Sequence, residues 1–300
     1  MQQLRGERRE VKEGNRTIIR EPDRTIIRDG GRTFIRHNDG ARFAYGARDV
    51  RTERRGVTNV TTVVMPTGDR IINVVDDNGY LIRRSRVLAN GREVILIDNR
   101  PRGRNWSPAD FFIAGLAAPV VRIPQDRYIV EYDRVYDDPG FIYDTFEAPP
   151  VDTLSRAYTL DEIRYNAPVR DLMPRIDLNT VNFDTGSWEL TDDQIDKLAP
   201  IADAMNRAIE RNPRTVFLIE GHTDATGNDV DNLSLSDRRA ETVAIALSQQ
   251  FGVPAENMTT QGYGSQYMKV QTDGPERANR RVTVRNITPL LTGQAGPPRR

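Results

Sequence analysis

The sequence predicts an α+β chain. A β-α-β-α-β-β unit at the C-terminus, with helices on one side of a small mixed sheet, follows a β-rich repeat and a β-meander. Three observations predict this. Five-residue runs rich in β-branched residues return at a fixed interval near the N-terminus. Turn signals with late glycines then separate four short strand patterns. In the last third, helical stripes alternate with apolar strand runs.

The repeat is strict: RTIIR at Arg16–Arg20 and Arg24–Arg28, then RTFIR at Arg32–Arg36, a period of eight. The intervening EPD and DGG are turn formers, so each unit reads as a strand plus a tight turn. Isoleucines fall on both faces, as Ile18 and Ile19 do, and strands this short do not hold themselves together. Stacking on a second copy would bury both faces; a marginally ordered arm is the alternative. Four candidate meander strands follow at Val57–Met65, Arg70–Val75, Tyr80–Arg86 and Arg92–Asp98, separated by PTGD, DDNG and LANG. The late glycines suit positive φ. Asn99 to Pro174 is rich in proline, aspartate and tyrosine, includes RGRNWSPADFF, and has one helical signal at TLDEIRY. Tyr128, Tyr132, Tyr136 and Tyr143 are expected to pack this linker onto its neighbours.

In the last third, Arg175–Asp184 alternates as a strand. Leu190–Asn212 reads as a helix with Thr191 as N-cap, an apolar stripe of Ile195, Leu198, Ile201, Ala202 and Met205, and Pro200 as a kink or break. Thr215–Gly221 is a buried strand. A second helix runs roughly from Leu233 to Phe251, and MTTQGYG and RRVTVRNI are the last strands. The divisions are therefore 1–55 (arginine-rich octapeptide arm), 56–99 (meander), 100–174 (linker with short helices), 175–291 (compact α/β unit) and 292–300 (flexible tail).

Composition excludes several functions. The 43 basic and 43 acidic residues of the 300-residue chain balance, so no global field favours nucleic acid. The arginine-rich first segment reads as solvated faces or as a basic arm for an anionic partner. Without cysteine there is no disulfide, thiolate catalysis or cysteine metal site. His37 and His222 alone are too few for a histidine-built metal centre; no metal and no cofactor are expected. The longest apolar run, Phe111–Val121, is about half of the roughly 20 residues a bilayer span needs. The N-terminal MQQLRGERREVKEG has no hydrophobic signal core, so an export signal is either not used or removed.

One stretch carries chemistry: GHTDATGNDVDNLSLSDRRAETVAIAL, Gly221 to Leu247. Asp224 follows a strand end, Thr226 and Gly227 lie in the loop, Asn232 precedes the helix and can cap it or brace the loop, and Arg239 lies about two turns into the helix. This connectivity brings Asp224 and Arg239 to one cleft. There an acceptor for an ammonium group, a planar donor for a carboxylate and loop N–H groups would suit a zwitterionic ligand. A plain Asp–Arg salt bridge is the structural alternative. A triad of His222, Asp224 and Ser234 or Ser236 lacks a nucleophile elbow and an oxyanion hole, so no catalysis is expected.

Thr223-Asp224, Gly227, Asn232, Leu235-Ser236, Arg239-Ala240 and Val243, with Gly262-Tyr263-Gly264 and Asn279-Arg280-Arg281-Val282, resemble the signature of the OmpA-like peptidoglycan-binding domain shared with Pal and MotB. The resemblance covers roughly Arg175 to Leu291. It implies that Asp224 takes the ammonium and Arg239 the carboxylate of diaminopimelate in the peptidoglycan stem peptide. Thr226 and Gly227 would assist, with Asn232 and Ser236 supporting. It also implies a non-enzymatic anchor in the periplasm, associated with cell wall and outer membrane. The whole chain looks like a larger OmpA-family protein with RTIIR repeats. Homo-oligomerisation through residues 1–99, as an envelope scaffold, is the alternative function, and an outer-membrane protein is a further candidate partner. SQYMKVQTDGPE after Gly264 departs from the family in lacking a proline beyond the glycine pair.

Overall fold

The structure is a computed structural model that describes residues 2–14, 16–77, 79–100, 111–184 and 186–294. A short helix, α1 (Gln2–Glu7), leads into a four-stranded antiparallel sheet of β1 (Arg9–Glu13), β2 (Arg16–Arg20), β3 (Arg24–Asp29) and β4 (Arg32–His37). The repeats form β2 to β4, while the unrepeated REVKE supplies β1 as an added edge strand. Gly30 and Gly31 take φ of +57° and +77°, as a tight hairpin turn between β3 and β4 requires. Ile19 pairs with Ile26, and Ile26 with Ile35, so all three share a face. That face packs on Val230 and Leu233 of the long C-terminal helix. On this face, the burial expected from a second copy is supplied by the chain itself.

After α2 (Gly40–Phe43) comes a five-stranded antiparallel meander: β5 (Asp49–Arg55), β6 (Thr58–Val64), β7 (Arg70–Asp76), β8 (Leu81–Val87) and β9 (Glu93–Asp98). It starts ahead of residue 56, because DVRTERR pairs along its length with β6. That charged, exposed strand lacks the apolar alternation by which strands are read. Most of RGRNWSPADFF falls in residues 101–110, outside the described residues.

The linker contributes α3 (Gln125–Tyr128), β10 (Ile129–Glu131), α4 (Tyr132–Val135), α5 (Pro139–Glu147), α6 (Leu160–Tyr165) and α7 (Ala167–Arg170). A reciprocal capping box of Thr159 and Glu162 starts α6. Tyr132 is fully buried, and its hydroxyl donates to the Lys197 carbonyl at 2.9 Å. The Tyr128 hydroxyl donates to the Asp171 carbonyl at 2.7 Å.

The C-terminal unit continues with β11 (Arg175–Asp177), α8 (Asp192–Asp196), α9 (Ala199–Arg211), β12 (Phe217–Gly221), α10 (Asp229–Phe251), β13 (Met258–Gly262), β14 (Val282–Asn286) and α11 (Thr288–Thr292). Its mixed sheet has the order β10-β11-β14-β12-β13, so the linker adds an edge strand parallel to β11. The strand expected over Arg175–Asp184 ends at Asp177, where the chain turns through an Asn179 N–H to Asp177 carbonyl bond. The helix expected over Leu190–Asn212 is two, with Pro200 in the first turn of α9, where a missing N–H costs nothing. Thr191 sits at the N-cap of α8, but its hydroxyl meets Asp193 instead of a backbone amide. Asn228 caps α10 by accepting from the Asp231 N–H at 2.9 Å; Asn232 therefore lies inside the helix.

The two helices expected on one side of the sheet, α9 and α10, share one face, and mainly the linker and β9 cover the other. One face carries α5, α9 and α10 over Phe217, Ile219 and Val284. The opposite face, with Leu218 and Ile287, is covered by Leu160, Ile163 and Val169 of α6 and α7 and by Leu96 and Ile97 of β9. Among the described residues no helix is long and apolar enough to cross a membrane. Residues 295–300 of the tail lie outside the described residues.

Candidate ligand-binding site

Helix α10 lies directly on β12 and β13. A Cβ on Gly221 would overlap the Ser236 carbonyl, and one on Gly262 would overlap the Asp237 backbone. Glycine at both positions removes the side-chain layer between helix and strands. Past its last paired residue, β12 stays anchored: the His222 N–H donates to the Arg281 carbonyl and the Thr223 N–H to the Gly264 carbonyl, both at 2.9 Å. Asp224 then sits at the mouth of the sheet, and α10 brings Arg239 towards the same end.

The two do not pair. Arg280 at the head of β14 donates to Asp224 Oδ2 at 2.6 Å, while the Thr226 N–H donates to Oδ1 at 3.2 Å, joined there by the Thr226 hydroxyl. Burial opposes charge on Asp224, but Thr226 and Arg280 hold its carboxyl below the ordinary range. Arg239 is 4% exposed. Its Nε donates to the Ser187 carbonyl at 2.9 Å and its Nη2 to the Asp184 carbonyl at 3.2 Å, with its guanidinium 5.0 Å from the centre of the Phe183 ring. Among the described residues Arg239 makes no salt bridge. Burial first, and Arg280 second, lower it to about 10, with Asp224 acting in the opposite sense. The guanidinium stays charged at neutral pH, is fixed by neutral carbonyls, and lies within the electrostatic reach of Asp224.

The other predicted residues divide. Thr226 touches Asp224 directly. Gly227 has φ +98°, where a side chain would be strained. Asn232 braces the loop, its Nδ2 donating to the Thr226 carbonyl at 3.0 Å and the Asp224 carbonyl at 3.4 Å. Ser236 is fully buried; it accepts from the Gly264 N–H at 2.8 Å and so ties α10 to the end of β13. Ser234 donates to Glu21 at 2.7 Å. His222 Nδ1 has no protein hydrogen-bond partner, so neither serine meets it.

Sequence reasoning did not assign Arg280 to this site. The β12–β14 register, Gly221 opposite Val282, continues to set residue 280 beside the strand end that bears Asp224. Phe183 and Asp184 read as the end of a strand and the residues up to Ser187 carry no periodic signal, so the carbonyl contacts of Asp184 and Ser187 to Arg239 could not be read. His37, Asp39 and Glu241 offer ligand atoms within 4.8 Å of one another. Their carboxylates, however, already carry Arg42 and Arg84, cations that oppose a metal ion.

Residues 182–281 match the model of the OmpA family. Probable lipoprotein YiaD of Escherichia coli is 34% identical over 114 residues, 37% of this chain and 49% of that protein. The peptidoglycan-associated lipoprotein of Pasteurella multocida is 33% identical over 98 residues, 33% of this chain and 61% of that protein. The chain thus spans about half the length of the first and under two thirds of the second. The crystal structure of the peptidoglycan-associated lipoprotein from Burkholderia pseudomallei is 28% identical, with a TM-score of 0.29, over 35% of this chain and 85% of that one.

Proposed function

Residues 182–281 being an OmpA family domain, we propose that this chain binds peptidoglycan non-covalently and anchors an envelope protein or assembly to the cell wall. The site takes the diaminopimelate residue of the stem peptide, in the periplasm beside the outer membrane. The observation that carries this reading is Arg239: a buried guanidinium held by two backbone carbonyls, without a salt bridge among the described residues. Such a group is a preorganised fork for a carboxylate. Asp224 supplies the opposite charge for the ammonium of the same centre. Arg280, whose own side chain is partly exposed, is displaced or shifted when the ammonium arrives. Thr226 and the Gly227 loop orient Asp224, while Asn232 and Ser236 hold loop and helix. The relatives' names support the class of ligand.

With Ile19, Ile26 and Ile35 covered in cis, that face of the repeat sheet does not call for a homo-oligomeric scaffold, so wall binding is the reading kept. The test is a pull-down of the full chain on purified diaminopimelate-type peptidoglycan, beside folded Asp224→Asn and Arg239→Ala proteins. Retention of the parent chain with loss in both variants is expected. A folded parent that stays in the supernatant sinks the proposal.

A further inference from the structure

On the sheet face opposite α10, a cavity of about 290 Å³ lies between α7, the ends of β12 and β14, and the segment at 266–271. This is at the lower end of the roughly 300–1,000 Å³ of small-molecule sites, so it suits a single chemical group and not a polymer. Its lining is unbalanced: Arg170, Arg175, Lys269, Arg281 and Arg285 face Glu220 and Asp171. Glu220 is divided between Arg285 and Arg170. Asp177, behind the wall, accepts from Arg175 Nε at 3.0 Å and from Lys269 Nζ at 2.9 Å.

Arg281 is the most loosely held of these cations, its Nη1 donating to the Asn279 carbonyl only at 3.5 Å. Its Nη2 donates to the Tyr267 carbonyl at 3.2 Å, Asp177 is 3.8 Å from its Nε, and that Nε is buried without a protein hydrogen-bond partner. The buried His222 Nδ1 is also unpartnered. Burial, then Arg281, Arg175, Arg170 and Arg285, hold this imidazole well below its ordinary range. Burial also lowers Arg281 to about 10, and Arg175 and Arg285 add to the effect while Asp177 and Glu220 oppose it. His222 thus faces arginines, with no acid among the groups that chiefly shift it, whereas Arg281 has Asp177 and Glu220 as counter-charges and Lys269 is shared between Asp177 and Glu131.

We propose that this cavity binds a compact oxyanion, a phosphate or carboxylate group, with Arg281 and His222 as its buried polar contacts and Lys269 at its rim. The site is separate from Asp224 and Arg239 and does not rest on the wall-binding reading. A bound anion would favour the imidazolium form of His222, which gives a readout that a closed ion network would not.

The full chain is titrated with inorganic phosphate and, in a second arm, with acetate, by calorimetry and by NMR of the His222 imidazole, the His37 signal being identified with His37→Gln. Saturable binding with a rise in the His222 pKa is expected. Phosphate alone identifies a phosphate ester as the natural ligand class; acetate binding identifies a carboxylate. Arg281→Gln and Lys269→Met should each weaken binding about tenfold or more, the scale of a charged hydrogen bond, and Asp224→Asn should not. If Arg281→Gln fails to fold, the partly exposed Lys269 decides. Absence of saturation in both arms with an unmoved His222, or binding lost in Asp224→Asn and kept in Lys269→Met, overturns the proposal.

Discussion

Arg24 of the repeat sheet and Asp237 of α10 are joined in the interior: Arg24 Nε donates to Asp237 Oδ2 at 2.8 Å, and both side chains are almost fully buried. The same carboxylate accepts from the Gly262 N–H at 2.8 Å and lies 2.9 Å from His37 Nδ1. Around it, Glu21 meets Ser234, Arg238 and Arg8, and Asp231 meets Arg8 and Arg5. Arg5, Arg8 and Arg24 of the basic N-terminal segment thus find acids on this chain.

Asp237→Asn would leave Arg24 and His37 buried with a weakened counter-charge. Removing one partner of a buried pair costs about 3–5 kcal/mol. Urea unfolding should show a loss of that order; a change below about 1 kcal/mol would mean the network contributes little.

Stability should also fall on the alkaline side. Burial disfavours the His37 imidazolium, but Asp237, with the hydrogen bonds His37 donates to Asp39 and Glu241, raises it well above the ordinary 6.5. A raised folded-state value gives stabilisation that is complete below the unfolded value and lost as pH rises through the folded one. Unfolding free energy measured against pH should therefore decline above neutrality in the parent and flatten there in His37→Gln.

Arg239→Lys should bind peptidoglycan fragments about ten- to a hundredfold more weakly, because a point charge cannot replace a planar fork. Normal binding by that variant would remove the bidentate argument.

Arg280→Gln frees one Asp224 oxygen. Fragment binding should be at least as tight as in the parent, and the Asp224 carboxyl, followed by NMR, should move up towards its ordinary range. A drop in affinity would make Arg280 a ligand contact instead of a competitor.

Gly262→Ala places a Cβ in the Asp237 backbone. Overpacking of this kind typically costs 1–3 kcal/mol or more, and thermal melting should show it. An unchanged Tm would mean α10 can lift off the sheet at little cost.

Much of this was legible because the signal is local. The period of eight set β2 to β4, the late glycines marked the meander turns, and the apolar run at Val216–Ile219 marked β12. Asp224 and Arg239 could be placed at one end of the unit from strand-then-helix connectivity. What escaped was charged, short or distant. β1 and β5 have no apolar alternation, and β10 is a strand of three residues. Asp229 to Asp231 hid the true start of α10. The Arg24–Asp237 bond spans 213 residues of sequence, and no pattern in one sequence couples positions so far apart. The partner of Asp224 was hidden for the same reason, since Arg280 arrives only through the antiparallel return of β14.

Helix α10 is gripped on one side by the N-terminal segment, through Asp231, Ser234, Asp237 and Arg238, and presents Arg239 at its other flank. A chain tethered to a rigid mesh by Arg239 and pulled from its N-terminal half would pass that tension across the width of a single helix. The load would fall on buried ion pairs side by side, so the two halves would part together under strain instead of unravelling strand by strand.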